Sequence, residues 1–127
     1  RRHFLPKIAS GEIIGSFALT EPNAGSDAAS LQTKAVEDGD DFLLTGTKQW
    51  ITNAKSAQLF TVFARTNPNE PRSKGVSAFL VEADRSGITL SSNYKKMGQQ
   101  GAHVCDINFD QCRVPKSNII GGAQSDK

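Results

Sequence analysis

Long apolar runs, cysteines and an excess of charge of one sign are all scarce in this sequence of 127 residues. No apolar stretch approaches the ~20 residues that a membrane-spanning helix needs, so no membrane span is expected. The formal net charge of +2 is too small, and the basic residues are too scattered, to indicate a nucleic-acid partner.

Cysteine is also scarce, with only Cys105 and Cys112 in the chain. Their odd spacing would place them on opposite faces of a shared strand, so no bond between them is expected. Two cysteines and two histidines do not predict a disulfide framework or a zinc site. We therefore expect no metal and a reducing compartment, the cytoplasm by default.

Strand patterns dominate after the first ten residues, which resemble the end of a helix (Arg2–Ala9) stopped by Ser10-Gly11. The pair Asp38-Gly39 predicts a hairpin turn. The nearly continuous apolar run Val76–Glu82 predicts a central strand. Strands are predicted over residues 13–20, 31–37, 42–48, 59–65, 76–82, 88–94 and 103–109. Six to eight short strands predict a mainly β fold, an antiparallel barrel or sandwich.

The first stretch that could carry chemistry is the turn Thr20–Asp27. Gly25 would let the backbone approach a ligand closely, in a conformation with positive φ. The N–H groups of Gly25 and Ser26 could form an anion-binding nest, and the Ser26 hydroxyl could donate to a phosphate or an amide carbonyl. An ordinary surface turn stabilised by Asx and Ser side chains is the alternative.

The second stretch is Lys48–Ala54, which holds the single tryptophan of the chain. Thr52 follows Trp50 by two residues, which predicts that both lie on one strand face. A flat aromatic ring beside a hydroxyl suits a planar ligand ring with an acceptor nitrogen at its edge. A core tryptophan and a threonine chosen for β propensity are the alternative.

The third stretch, Lys95–His103, contains two glycines and predicts a tight loop whose simplest interpretation is a plain connection. No acid or nucleophile is close to His103 in sequence, so a catalytic base is not indicated there.

Together these stretches resemble one family, the acyl-CoA dehydrogenases, in order and spacing. Residues 20–27 closely resemble the signature T-E-P-x-x-G-S-D, and residues 45–54 resemble G-x-K-x-W-I-T-N. Residues 78–81, 96–98 and 109–115 fit later landmarks of the family. Asn23 and Gln99-Gln100 depart from the commonest pattern. The resemblance covers nearly the whole chain and implies the middle β-domain, 1–127, of a longer enzyme whose flanking helical domains are absent.

The resemblance also implies roles for individual residues around FAD. The segment Phe17, Ala18, Leu19 and Thr20 would line the pyrimidine edge of the flavin. Gly25 and Ser26 would face the pyrophosphate, and Ser26 would also reach the pantetheine of acyl-CoA. Trp50, Ile51 and Thr52 would meet the ring, with Trp50 on the face opposite the substrate and Thr52 near N5.

The implied reaction is α,β-dehydrogenation of an acyl-CoA thioester, with a carboxylate base that removes the α proton while a hydride moves to the flavin. In this family the base usually comes from a helical segment that has no match in this chain. None of its glutamates Glu12, Glu21, Glu37, Glu70 and Glu82 is therefore expected to be the base, and no catalytic residue is expected here. An electron-acceptor flavoprotein, a homo-oligomeric full-length enzyme and, in a eukaryote, the mitochondrial matrix are further implications. An acyl-CoA oxidase or related flavin oxidase, and a non-catalytic β-barrel binding module, are the alternatives.

Overall fold

A computed structural model describes residues 3–121 of the chain. In these residues, one short helix, α1 (Leu5–Ala9), precedes seven strands that form a single curled sheet, two one-turn 3₁₀ segments lie in the connections, and a third follows the last strand. The strands are β1 (Gly15–Ala18), β2 (Lys34–Asp38), β3 (Asp41–Thr52), β4 (Leu59–Arg65), β5 (Val76–Glu82), β6 (Ile88–Leu90) and β7 (Val104–Pro115). The mainly β prediction, with six to eight strands, is confirmed.

The strand order is β1-β4-β2-β3-β7-β6, with β5 paired to β4 outside that path. Most pairs are antiparallel, but β1 runs parallel to β4, and Lys34 of β2 pairs in parallel with Arg65. The predicted hairpin exists between β2 and β3, with Gly39-Asp40 rather than Asp38-Gly39 between the paired ends. Gly39 has φ +62°, a conformation that glycine adopts without steric cost.

The prediction of a central strand at β5 is wrong. β5 pairs along its length with β4 alone, and its other side has one isolated bridge, between Phe79 and Ile119. Its apolar run comes from packing: Phe79 and Val81 are buried in the core, and the other residues of the strand are half-buried. A continuous apolar run indicates that both faces of a strand are buried, which is true of a covered edge strand as well as of a central one.

Two bulges along the long β3–β7 pair change which face of the sheet the following side chains lie on. The register shifts between Leu44 and Gly46, opposite Phe109–Cys112, and again between Lys48 and Ile51. The first shift inserts an extra residue in β7, where Gln111 has φ +46°.

This bulge overturns the prediction that the two cysteines face opposite sides of their strand. Cys105 and Cys112 both lie in β7 and both point into the core, because the extra residue between them reverses the alternation. They are free thiols, and burial raises the pKa of each. We therefore expect no nucleophilic chemistry from them.

The core lies on the inner face of the curled sheet. Buried aromatic and aliphatic side chains from β3, β4, β5 and β7 fill it, among them Phe42, Phe60, Phe79 and Phe109. None of the helices that the structure describes is long and apolar enough to cross a membrane.

Candidate functional site

The two motif-bearing stretches lie side by side in the structure. The buried Ser16 hydroxyl in β1 donates to the Thr52 carbonyl over 2.6 Å. The Gln49 N–H in β3 donates to the Thr20 carbonyl over 2.7 Å. Residues 16–20 therefore run alongside residues 49–52, and the end of β1 meets the end of β3 at one place on the sheet.

A buried ion pair fixes this junction. Lys48, with no solvent exposure, donates its Nζ to Glu21 Oε1 over 2.7 Å and to the Leu19 carbonyl over 3.0 Å. The Glu21 carboxylate also accepts the backbone N–H groups of Gln32, over 2.6 Å, and Thr33, over 3.0 Å. One lysine and one glutamate thus join three segments of the chain.

The pKa of each partner reflects this environment. Burial by itself would raise the pKa of Glu21, but hydrogen bonds from Lys48, Thr33 and Gln32 outweigh it and lower the pKa below its ordinary value. Burial lowers the pKa of Lys48, and the Glu21 carboxylate opposes that change. Since the lysine Nζ donates to both the carboxylate and a carbonyl oxygen, the geometry is that of an ionised pair.

Trp50 stands out of the sheet beside this junction. It lies in the second bulge, has φ +59°, and keeps 53% of its surface exposed. A positive φ is a strained conformation for a bulky residue, and such strain concentrates at functional sites. Thr52 is also exposed, whereas Ile51 between them is buried. The alternative of a core tryptophan is therefore wrong.

Tyr94 covers one side of the Trp50 ring, and Asp106 holds Tyr94 in place. Tyr94 stacks on it, with 4.0 Å between ring centroids and 28° between planes. The Tyr94 hydroxyl donates to both carboxylate oxygens of Asp106, over 2.9 and 2.8 Å, and accepts from Gln49 Nε2 over 3.1 Å. Donation from Gln49 lowers the pKa of Tyr94 and the Asp106 carboxylate raises it, and the net effect is a raised pKa.

The turn after Thr20 is closed by residues other than Ser26. Glu21 and Ala24 exchange backbone hydrogen bonds of 3.0 and 3.1 Å. The Ser30 hydroxyl donates to the carbonyl of Asp27, just after the turn, over 2.8 Å. Ser26 is exposed, and no residue of the described part of the chain hydrogen-bonds its hydroxyl. Its hydroxyl is therefore available to a ligand.

Gly25 behaves differently from the prediction. It does not have a positive φ, which contradicts that part of the sequence analysis. A Cβ built on Gly25 meets nothing within 4 Å, so the surface in front of it is open. Space for a ligand, rather than a conformation restricted to glycine, is what this position offers.

Other predicted site residues divide into exposed and buried positions. Phe17 keeps 60% of its surface exposed and packs against Phe63 with ring centroids 5.0 Å apart, and Leu19 and Thr20 are half-buried. The side chains of Ala18 and Ile51 lie in the core, so these two residues can meet a ligand only through their backbones.

The third stretch remains a loop, with one link to the site. Lys96 donates to the carbonyl of Gln99 over 2.7 Å, and His103 and Asn93 join their side chains over 2.9 Å. The His103 carbonyl accepts the Asn53 N–H over 2.8 Å, which anchors the loop just beyond Thr52. No described contact gives His103 an acid or a nucleophile as a partner.

Most of the glutamates considered for the base, together with Asp106, are paired with other side chains. Glu21 is buried against Lys48, and Asp106 is bound to Tyr94. Glu12 pairs with Lys7, Glu37 with Lys116, and Glu82 with Arg85, and Glu70 is exposed in the loop after β4.

The sequence predicted neither the Glu21–Lys48 ion pair nor the clamp that Tyr94 and Asp106 form on Trp50. Glu21 and Lys48 stand inside the two quoted motifs, but Lys48 lies between the polar residues Thr47 and Gln49, so its neighbours do not signal that it is buried. Tyr94 carried no such signal, because its contact with Trp50 depends on the path of the loop between β6 and β7.

Comparisons with known proteins agree with this geometry. The family model "Acyl-CoA dehydrogenase, middle domain" matches residues 16–112. The mitochondrial isovaleryl-CoA dehydrogenase of Pongo abelii is 42% identical over 122 residues, which cover 95% of this chain and 29% of that protein.

Two solved structures are similar throughout the domain. A prolyl acyl carrier protein oxidase, AnaB, gives a TM-score of 0.90 at 39% identity, over 94% of this chain and 31% of its own. A glutaryl-CoA dehydrogenase from Mycobacterium smegmatis in complex with FADH2 gives a TM-score of 0.84 at 37% identity, over 93% and 29%. The chain thus spans about three tenths of the length of each of these three relatives.

Proposed function

Because the chain belongs to the acyl-CoA dehydrogenase family and contains its middle domain, we propose that it is the flavin- and acyl-CoA-binding domain of a longer FAD-dependent dehydrogenase. The observation that carries the proposal is Trp50. A strained, half-exposed tryptophan stands beside the free hydroxyl of Thr52, at the junction that Glu21 and Lys48 hold rigid.

The residues at this junction fit an isoalloxazine ring. One face of a flat aromatic side chain, an adjacent hydroxyl donor and the backbone edge of Leu19-Thr20 are the groups that a planar ring with acceptor nitrogens at its rim requires. When bound, the flavin supplies a hydride acceptor for the β carbon of the acyl chain. Trp50 would pack on the ring, Thr52 would donate to its N5 edge, and the 17–20 segment would meet its pyrimidine edge.

The turn at Gly25-Ser26 fits the phosphate end of the cofactor. Its open surface admits a pyrophosphate, two successive N–H groups can donate to a phosphate oxygen, and the unused Ser26 hydroxyl can reach the pantetheine of acyl-CoA. The same turn is joined to Lys48 through Glu21, so cofactor and substrate would meet a common rigid element.

The proposed reaction of the longer enzyme is α,β-dehydrogenation of acyl-CoA thioesters, as in fatty acid metabolism. The part of this chain is to bind and orient the reacting carbons against the flavin. The base that removes the α proton would come from outside the chain, since Glu21 and Asp106 are committed to structural contacts. No catalytic residue is assigned here.

An oxidase on the same scaffold is the second candidate, because the AnaB oxidase is as similar in fold and sequence as the glutaryl-CoA dehydrogenase from Mycobacterium smegmatis is. A non-catalytic binding module is disfavoured by the retention of Trp50, Thr52 and Ser26 together. For the dehydrogenase, an electron-accepting flavoprotein, a homo-oligomeric assembly and a location in the cytoplasm, or in the mitochondrial matrix of a eukaryote, complete the proposal.

Purification of the longer protein tests the proposal. We expect yellow protein with FAD absorbance that bleaches when an acyl-CoA is added without oxygen, followed by electron delivery to an acceptor flavoprotein. Rapid oxygen consumption in place of that delivery would identify the oxidase. A colourless protein that binds no added FAD would contradict both enzymes.

A further inference from the structure

The only tryptophan and the only tyrosine of the chain form one stacked pair. Tyr94 lies on the segment between β6 and β7, outside the hydrophobic core, and reaches across to Trp50 in β3. Because Tyr94 covers one face of the indole, a single face remains open to a ligand ring.

Asp106 in β7 joins the two aromatic residues. Its Oδ1 accepts the backbone N–H of Trp50 over 3.3 Å, and both carboxylate oxygens accept the Tyr94 hydroxyl. Its own N–H is held by Ser91 Oγ over 2.9 Å. One carboxylate therefore fixes the left-handed backbone of Trp50 and the ring that stacks on its side chain.

We propose that Tyr94 and Asp106 are positioning residues for the flavin platform, which lock the indole of Trp50 and leave one face for the isoalloxazine ring. This inference rests on the proposed function. A bulge residue with positive φ has no partner in the regular ladder, so its direction has to be set by neighbouring groups. Tyr94 and Asp106 are the described groups that contact Trp50 in this way.

Fluorescence of the single tryptophan tests the clamp without a ligand. In the 127-residue chain, Tyr94→Leu uncovers the second indole face, so the acrylamide quenching constant should rise about twofold and the anisotropy should fall. Tyr94→Phe keeps the ring and should rescue most of the effect. Lys95→Ala, at the exposed neighbouring position, is the matched control and should change nothing.

Asp106 is tested in the same way. Asp106→Ala should loosen Trp50 as Tyr94→Leu does, whereas Asp106→Asn, whose amide oxygen still accepts hydrogen bonds, should stay close to the parent. Near-ultraviolet circular dichroism, which reports ring packing, should weaken in the two disruptive variants while the unfolding temperature stays near the parent value. A destabilised fold with unchanged indole quenching would contradict a positioning role.

Titration with FAD separates this inference from the proposed function. We expect Tyr94→Leu to raise the FAD dissociation constant about two- to tenfold, the range that loss of one aromatic contact gives. Unchanged quenching in Tyr94→Leu overturns the clamp. Altered quenching with unchanged FAD affinity overturns its role in flavin binding. A parent chain that binds no FAD at millimolar concentration contradicts the proposed function instead, and the quenching data still judge the clamp.

Discussion

At the scale of single residues, the site depends on side chains that the fold itself does not use. Thr52 and Ser26 present hydroxyls to solvent, and Trp50 and Phe17 present aromatic surface that would be buried if packing alone governed their positions. Exposed aromatic groups beside unused donors are typical of a binding surface.

Thr52→Val should keep the shape of its strand and remove one donor. In the longer enzyme we expect slower flavin reduction and a shifted reduction potential, because a hydrogen bond near N5 contributes on the order of 0.5–1.5 kcal/mol. Trp50→Ala should weaken flavin retention more than acyl-CoA binding. Spectra, flavin content and stopped-flow reduction measure these effects, and two variants that match the parent in all three would show that the ring lies elsewhere.

Gly25→Val tests the space for a ligand without the backbone strain that the sequence analysis expected at this position. Because Gly25 lacks a positive φ and a Cβ there meets nothing, valine should leave the free energy of unfolding nearly unchanged. It should nevertheless abolish flavin binding, since the side chain fills the space that the pyrophosphate needs.

Ser26→Ala should raise the Michaelis constant for acyl-CoA. Calorimetry with FAD and with a non-reactive acyl-CoA analogue decides, and normal binding of both ligands by Ser26→Ala would favour the plain turn.

At the scale of strands, the two bulges of the β3–β7 pair account for what strict alternation could not predict. The simple two-residue period predicted that Trp50 and Thr52 share one strand face, and both are exposed, although Trp50 itself lies in the second bulge. The same rule failed for Cys105 and Cys112, because a bulge leaves no signal in the hydrophobic pattern. A bulge changes the direction of the side chains next to it, and the bulge at Trp50 turns this side chain out of the core.

The ion pair between β3 and the turn gives a pH-dependent stability. The folded pKa of Glu21 is lowered, so its contribution is present above the ordinary value of 4.5 and is lost as pH falls through the folded pKa. The lowered pKa of Lys48 has the opposite consequence at neutral pH: its buried charge costs stability there, and that cost falls only as pH rises toward 10.5. Glu21→Gln should cost about 3–5 kcal/mol at pH 7, because it leaves a buried ammonium without its counter-charge.

The double variant Glu21→Gln/Lys48→Met is the control for that prediction. It removes both charges, so it should recover most of the stability and flatten the loss of stability as pH falls below 4.5. Urea unfolding at several pH values measures both effects. A single variant as stable as the parent, or an acid profile that the double variant leaves unchanged, would mean that the pair does not hold the junction.

At the scale of the whole molecule, the sequence predicted the fold class, the strand count and the two motif stretches that meet. Local periodicity and turn residues were sufficient for these, and strands 59–65 and 76–82 have the predicted bounds. It did not predict the parallel pairing of β1 with β4, the edge position of β5 or the Trp50–Tyr94 stack. Those features depend on contacts between distant segments, which leave no period in the chain.

The 127-residue chain should fold but turn over no acyl-CoA. Buried side chains of the described residues form a hydrophobic core, whereas Glu21 and Asp106, the carboxylates at the junction, are held by Lys48 and Tyr94, and we expect no base among them. We expect β-type circular dichroism and no reduction of an artificial acceptor with butyryl-, octanoyl- or palmitoyl-CoA. Turnover that depends on any carboxylate of this chain would place the base within it.

An amide chemical-shift map of the ¹⁵N-labelled chain during titration with FAD tests most directly whether this surface binds the flavin. We expect the shifted resonances to cluster at residues 16–20, at 25–26 and at 49–52, and the side-chain N–H of Trp50 to shift with them. Binding too weak for other methods still appears in such a map. No shift at millimolar FAD, or shifts confined to the loop 95–103 and the far edge at β5, would contradict the assignment of this surface to the flavin.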